Sequence, residues 1–123
     1  MESSLREALQ QVLAMEGVRT VALIDIASGM VVRSEGEQDA SFPAAAASVA
    51  DEARAARGVL GPRQPAGDLD EIVVVTETRL HLAKILPDQP GEGFLLFVDM
   101  DRARANVALA TLRVGQLAPA VLA

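Results

Sequence analysis

Residues 71–99 read EIVVVTETRLHLAKILPDQPGEGFLLFVD and contain three apolar runs separated by short polar segments. The runs Glu71–Thr76, Leu80–Leu86 and Phe94–Asp99 are rich in valine, leucine, isoleucine and phenylalanine, a composition typical of β-strands. The segments between them, residues 77–79 and 87–93, are too short for a crossover helix. The stretch therefore predicts three consecutive strands in an antiparallel meander.

A helix and a β-hairpin are predicted before this meander. Ser4 and Glu7 have capping-box spacing, which predicts the start of a first helix that ends at Gly17. A strand over Val18–Asp25 and a returning strand over Met30–Ser34 follow, joined by a tight turn in which Gly29 supplies a positive φ. Alternation along the first strand places two sets of side chains on opposite faces: Val21, Leu23 and Asp25 on one, and Ala22, Ile24 and Ile26 on the other.

A second helix is predicted over residues 41–57. Ser41 or Asp39 is its N-cap, Pro43 lies in its first turn, and Gly58 ends it. Small side chains dominate its apolar face, which allows another backbone to approach closely. That face comprises Phe42, Ala46, Val49, Ala53 and Ala56.

The remaining elements are a loop and a third helix. Residues 61–67 read GPRQPAG and predict an exposed loop within one domain of residues 1–123. Asp101 is predicted to cap a helix over residues 102–114, which Gly115 and Pro119 end. The order α-β-β-α-β-β-β-α predicts an α/β (α+β) fold in which a five-stranded antiparallel sheet lies between helices.

The strand at residues 71–76 predicts an assembly. Ile72–Val75 is apolar on both faces, so we expect helices to cover both of them. The strand has no Pro or Lys to protect an edge, and pairing with a second copy would satisfy its free backbone groups. An isologous homodimer is therefore predicted, in which the alanine face of the second helix packs against its copy. The alternative is a monomer in which this strand is interior to the sheet.

Composition excludes several classes of function. The chain has 123 residues, a formal net charge of −6 and no cysteine, so thiolate metal sites and disulfides are excluded. An acidic chain without Trp or Tyr is unsuited to nucleic acid. No apolar run approaches the ~20 residues of a membrane span, and no secretory signal is visible. The sequence predicts a cytoplasmic protein without membrane insertion.

No catalytic, metal or cofactor site is predicted. His81 lies inside a strand and has no carboxylate or pocket that the sequence reveals. Asp101, two residues after Asp99, is better explained as a helix cap than as half of a catalytic pair. Gly91 and Gly93 precede a strand and lack the Lys and Ser/Thr of a phosphate-binding loop. The protein is therefore predicted not to be an enzyme.

The order of elements resembles the roadblock / dynein-light-chain family, whose members have a profilin-like sandwich. The likeness covers nearly the whole chain and rests on pattern and order. It is carried by VALID at 21–25, GMVVR at 29–33, EIVVVT at 71–76, LHLAKIL at 80–86, FLLFVDMD at 94–101 and residues 103–114.

This resemblance implies a non-catalytic homodimer in which the third strands pair into a continuous sheet. The second helices would pack together on one face, and the first and third helices would lie on the other. The predicted dimer interface comprises Val49, Ala53, Ala56, Ile72, Val73, Val74 and Val75.

The resemblance also implies a partner, because bacterial members of the family bind small Ras-like GTPases and in some cases stimulate GTP hydrolysis. The Ala- and Arg-rich composition is typical of a high-GC bacterium, in which similar proteins accompany sensor-kinase-like proteins. The implied docking residues on the second helix are Asp51, Glu52, Arg54 and Arg57, with Ala47 and Ala55 less strongly indicated. From the residues alone, those four charges equally suit a solvated helix face.

Three alternatives stay open at this stage. An arginine finger is conceivable in Arg54 or Arg57, although positioning of the GTPase's own residues is favoured. The protein is alternatively a scaffold in a bacterial signalling complex without effect on GTP turnover. A small-molecule sensor would require a sizeable internal pocket.

Overall fold

The computed structural model describes residues 2–60, 68–87 and 89–122. The elements follow the predicted order. They are α1 (Glu2–Leu13), β1 (Val18–Asp25), β2 (Val31–Gly36), α2 (Phe42–Leu60), β3 (Glu71–Val75), β4 (Arg79–Ile85), β5 (Phe94–Asp101) and α3 (Val107–Val121). The loop predicted at residues 61–67 lies outside the described residues.

The five strands form one antiparallel sheet in the order β2-β1-β5-β4-β3. The meander β3–β4–β5 is confirmed, and β5 inserts next to β1 to join the meander to the hairpin. This order leaves β2 at one edge of the sheet and β3 at the other.

Helices cover both faces of the sheet, which confirms the predicted sandwich. The alternation along β1 is also as predicted, because Val21 and Leu23 face α1 and α3 whereas Ala22, Ile24 and Ile26 face α2. Leu9 and Val12 of α1 and Val114 of α3 are fully buried in the first layer. Phe97 of β5 anchors the second layer beneath α2.

The start of α1 and the end of α2 differ from the prediction. Helix α1 begins at Glu2, so Ser4 lies inside the helix and does not cap it. Helix α2 continues through Gly58 to Leu60. Gly58 does not have a positive φ, so it lacks the left-handed conformation with which glycine usually ends a helix.

The third helix begins five residues later than predicted. Asp101 ends β5, and its backbone carbonyl accepts hydrogen bonds from the amides of Arg104 and Ala105 at 3.1 and 3.0 Å. Asn106 is the true N-cap, since its side chain accepts from the amide of Leu109 at 3.0 Å. The predicted end after residue 114, at Gly115 and Pro119, is wrong, because α3 continues through both to Val121.

Candidate partner and dimer interface

Strand β3 is an edge strand with one partner in the described part of the chain. Its five residues pair with β4 in an unbroken register, from Glu71 opposite Lys84 to Val75 opposite Leu80. The outer side of β3 therefore presents backbone N–H and C=O groups to no other described strand. This arrangement fits the predicted edge and not the monomer alternative, in which the strand is interior.

The two faces of β3 are covered unequally. Ile72 packs against the α2 layer, and Val74 lies on that side opposite His81. Val73 and Val75 point to the α1/α3 side and are 41% and 51% exposed. The prediction that helices cover both faces of this strand is thus wrong, because the α3 layer packs on β4 through Leu80 and Leu82 and stops short of β3.

Helix α2 presents small side chains on its inner and outer sides. Val49 and Ala53, predicted at the dimer interface, are 4% and 0% exposed because they pack on the protomer's own sheet. Both are thus part of the protomer core, and Ala56 is half-buried. The outer face of α2 is defined here as the exposed residues Ala44, Ala47, Ser48, Asp51, Ala55 and Gly58; Pro43 and Val59 are also exposed.

Arg54 is engaged within its own protomer. Its Nη1 donates to the backbone carbonyls of Ile26 and, at 3.3 Å, of Ala27, and its Nη2 pairs with the carboxylate of Asp51. The carbonyl acceptors belong to the turn between β1 and β2. Arg54 therefore ties this turn to α2.

Arg57 has a similar role one turn further along the helix. Its Nη1 donates to the carbonyl of Glu92 in the β4–β5 loop at 2.6 Å, and its Nε lies 3.5 Å from the carboxylate of Asp68. Both predicted partner-binding arginines thus hold loops of the same chain. The predicted acidic residues differ, since Asp51 is exposed and Glu52 is half-buried.

The structure also contains a charged cluster that the sequence did not predict. Asp99 of β5 accepts from Arg79 Nη1 at 2.7 Å and lies 3.2 Å from Nε2 of His81. Arg79 also lies 3.9 Å from Asp39, which precedes α2. His81 was predicted to lack an oriented carboxylate, but Asp99 provides one. The rings of His81 and Phe97 also pack in a T-shaped arrangement, with 5.1 Å between their centroids.

Opposing effects act on the titration of Asp99. Burial works to raise the pKa of its carboxyl, but the neighbouring His81 and the charge of Arg79 outweigh that effect and lower the pKa below its usual value. The carboxylate is 13% exposed, and its charge is compensated within the protomer. This cluster joins β4, β5 and the entry to α2.

Two surface clefts lie beside charged groups, one at this cluster and one at Arg57. One of about 210 Å³ is bordered by the charged cluster, and one of about 710 Å³ is bordered by Arg57 and the β4–β5 loop. Both open to solvent, unlike the internal pocket that a small-molecule sensor requires.

Within residues 2–60, 68–87 and 89–122, no three His, Cys, Asp or Glu side chains are grouped so as to hold a metal ion. No helix in these ranges has both the length and the apolar character needed to cross a bilayer.

No protein-family model matches the chain, and no curated protein matches it by sequence. Solved structures do match over nearly its full length. Gliding protein MglB from Thermus thermophilus superimposes with a TM-score of 0.78 at 21% identity, covering 97% of this chain and 86% of that one. A Roadblock/LC7 domain from Streptomyces avermitilis gives 0.75 at 18% identity, covering 94% and 92%. MglC from Myxococcus xanthus gives 0.67 at 18% identity, covering 96% of each chain.

These similarities show that the chain has the roadblock fold. The resemblance stated from the sequence is thereby confirmed at the level of the fold.

Proposed function

We propose that this chain is a homodimeric regulator that binds a small Ras-like GTPase and modulates its GTP hydrolysis or switching. The observation that carries the proposal is an apolar β3 edge that pairs with no other described strand, in a domain with the roadblock fold. A GTPase is proposed as the partner because the sequence resembles that family. Gliding protein MglB and MglC are among the similar structures. Sensor-kinase-like proteins are further candidate partners on the same basis.

Pairing of β3 with its copy forms the dimer. Five consecutive residues without a bulge offer a regular template, and antiparallel pairing about a two-fold axis satisfies the free backbone groups of both copies. The side chains of Ile72 and Val74 then extend the α2 layer across the axis. Those of Val73 and Val75, exposed in the protomer, come to lie beside their copies.

The outer face of α2 supports the same arrangement. Apart from Asp51, its side chains are small, so two α2 helices can approach closely along it. The outer face replaces Val49 and Ala53 in the proposed interface, because those two residues are committed to the protomer core. Both copies of α2 then contribute to one platform on which the GTPase docks.

The mechanism is differential binding. A dimer that binds the GTPase more tightly when its switch loops are ordered shifts the GTPase toward that conformation. An arginine finger is not the favoured mechanism, because the guanidinium groups of Arg54 and Arg57 already bind carbonyls of their own chain. The proposed effect on hydrolysis comes from positioning the partner's residues.

Nucleotide-dependent binding tests the proposal. A small GTPase of the host is loaded with GDP or with a non-hydrolysable GTP analogue, and its affinity for the protein is measured by calorimetry. We expect at least about tenfold tighter binding of one form, which corresponds to about 1.4 kcal/mol of coupling. Equal affinities, or no binding, contradict the proposal. Selective binding without a change in hydrolysis or nucleotide exchange rate supports the scaffold alternative instead.

A further inference from the structure

The backbone of β3 alternates between groups that bond to β4 and groups that face the open edge. The amide of Thr76, directly after β3, donates to the carbonyl of Arg79 on β4 at 2.9 Å. In an antiparallel pair without a bulge, every second residue points its N–H and C=O groups to the same side. The backbone groups of Glu71, Val73 and Val75 therefore face away from β4.

These outward groups restrict how a second copy can pair with β3. Antiparallel pairing about a two-fold axis overlaps all five residues only when Val73 lies opposite Val73 of the second copy. In that register Glu71 lies opposite Val75 of the second copy, with about 5.5 Å between their Cα atoms. The start of each strand thus lies beside the end of the other.

Glu71 brings a negative charge to the start of β3. It shares the α1/α3 side of the strand with Val73 and Val75 because of the alternation. Lys84 is opposite Glu71 on β4, but its Nζ pairs with the carboxylate of Asp70 at 2.8 Å. Within the described residues, Glu71 has no cation at ion-pair distance.

Arg102 brings a positive charge to the end of β3. It lies in the turn that leads from β5 into α3, and its Nη1 donates to the carbonyl of Thr76 at 2.9 Å. The guanidinium is therefore held one residue beyond Val75. Three arginine side chains in the described part of the chain have no carboxylate partner: Arg102, Arg104 and Arg113.

We infer that Glu71 of each copy forms an ion pair with Arg102 of the other, one at each end of the paired β3 strands. This inference rests on the homodimer of the proposed function and names the residues that select a second copy of this chain as the occupant of the edge. With Glu71 opposite Val75 of the second copy, the guanidinium of Arg102 lies on the next carbonyl along that strand. Each charge lacks a partner in its own protomer, and pairing of the strands supplies one.

The two ion pairs add selectivity to a backbone edge that would otherwise accept any strand. The smallest slip that keeps the outward groups paired is two residues. It moves Glu71 either to Val73 of the second copy, away from Arg102, or past the end of that strand to Glu77, which has the same charge. A foreign strand without this arrangement of charges leaves Glu71 and Arg102 unpaired. The charges therefore favour one register and one partner.

Charge reversals test the ion pairs between copies. Glu71→Arg alone places two arginines at each end of the interface, and Arg102→Glu alone places two glutamates there. In sedimentation equilibrium of the full chain, each variant should raise the dimer dissociation constant at least about tenfold. A 1:1 mixture of the two variants has opposite charges at both ends of the mixed dimer. We expect its dissociation constant to lie within about threefold of wild type, with the mixed dimer in excess over either homodimer in native mass spectrometry.

Rescue in the mixture is a result that a purely structural role of Arg102 would not produce, because a bond to Thr76 lost in one copy is not repaired by a change in the other. Arg104→Glu is the matched control. Arg104 belongs to the same turn and also lacks a carboxylate partner, but it borders a cleft beside Glu37 at the other side of the sheet. We expect less than about a twofold change for it. No rescue in the mixture, or an equal effect of Arg104→Glu, overturns the inference.

A milder variant tests the same pair without altering Arg102. Glu71→Gln removes one charge from each ion pair with little change in shape, and should raise the dimer dissociation constant about threefold. The dependence of that constant on salt should also become weaker than in wild type, since salt screens exposed ion pairs. An unchanged dissociation constant with unchanged salt dependence overturns the inference even where Arg102→Glu does not fold.

The wild-type protein separates this inference from the proposed function. A monomer at micromolar concentration contradicts the proposed homodimer and the ion pairs with it. A wild-type dimer that neither charge reversal weakens contradicts the ion pairs alone. In that case nucleotide-dependent binding of the GTPase still tests the proposed function.

Discussion

The two edges of the sheet are protected in different ways. At β2 the register breaks, because Val31 pairs with Ile24 and Arg33 pairs with Leu23, which leaves Val32 as an extra residue in a bulge. Glu35 of β2 forms ion pairs with Arg6 at 3.6 Å and with Arg33 at 3.9 Å. A bulge and charges both discourage pairing with another strand.

Strand β3 has neither device. Its register is unbroken, and its only charged residue is Glu71 at the start. A sheet that protects one edge and leaves the other regular and apolar is suited to pairing through that one edge. The comparison thus predicts a closed dimer and not an open chain of sheets.

The largest expected effect is loss of the dimer in a β3 variant. The double substitution Val73→Lys and Val75→Lys places charges on two exposed positions of the free edge, where they meet the same charges of the second copy. We expect monomers at micromolar concentration in sedimentation velocity, with an unchanged circular dichroism spectrum.

The matched control for this variant is Val32→Lys. Val32 is 54% exposed on the opposite edge, so the same substitution there should leave the dimer intact. Loss of the dimer in the control, or its persistence in the β3 variant, contradicts the distinction between the two edges.

A smaller effect is expected from the charged cluster on the β3 side of the sheet. Asp99→Asn weakens the contacts of a mostly buried carboxylate with Arg79 and His81, and should cost about 2 kcal/mol of unfolding free energy. Urea denaturation measures this cost. On the β2 side, Glu35→Gln removes pairs in which Arg6 is 60% exposed, so we expect a cost below about 1 kcal/mol. Equal losses of unfolding free energy in Asp99→Asn and Glu35→Gln would contradict the expected difference between the two sides of the sheet.

The contribution of Asp99 should depend on pH in one direction. Its pKa is lowered in the folded protein from the usual 3.8, so its stabilising effect is fully present above that value and is lost as the pH falls through the lower folded pKa. The difference in unfolding free energy between wild type and Asp99→Asn should shrink as the pH falls below about 4. A difference that grows on acidification contradicts this direction.

Local patterns predicted the sheet well because alternation and short connections depend on neighbours in sequence. Strand β1 and its two faces follow from the alternation around Leu23. The third helix was misplaced because Asp101 and Asn106 both suit an N-cap, and the strand β5 continues to Asp101 in the sheet.

The site was harder to predict because its contacts are distant in sequence. Arg54 reaches a carbonyl 28 residues away and Arg57 one 35 residues away, and neither contact leaves a local pattern. The pairing of His81 with Asp99 did leave a signal, since a β4–β5 hairpin in the right register brings those residues opposite each other.

Spin labels test the pairing of β3 most directly, because the chain has no cysteine of its own and a single labelled position is unambiguous. Val73→Cys lies at the middle of β3, and Val32→Cys lies at the other edge. Pairing through β3 predicts a label separation below about 20 Å for Val73→Cys, since paired strands are about 4.8 Å apart. For Val32→Cys it predicts a much longer separation, up to about 43 Å between the strands, because nine such spacings separate the two copies of β2 in a ten-stranded sheet. No dipolar coupling at position 73, or a separation at position 32 as short as the one at position 73, would contradict the pairing of β3 with its copy.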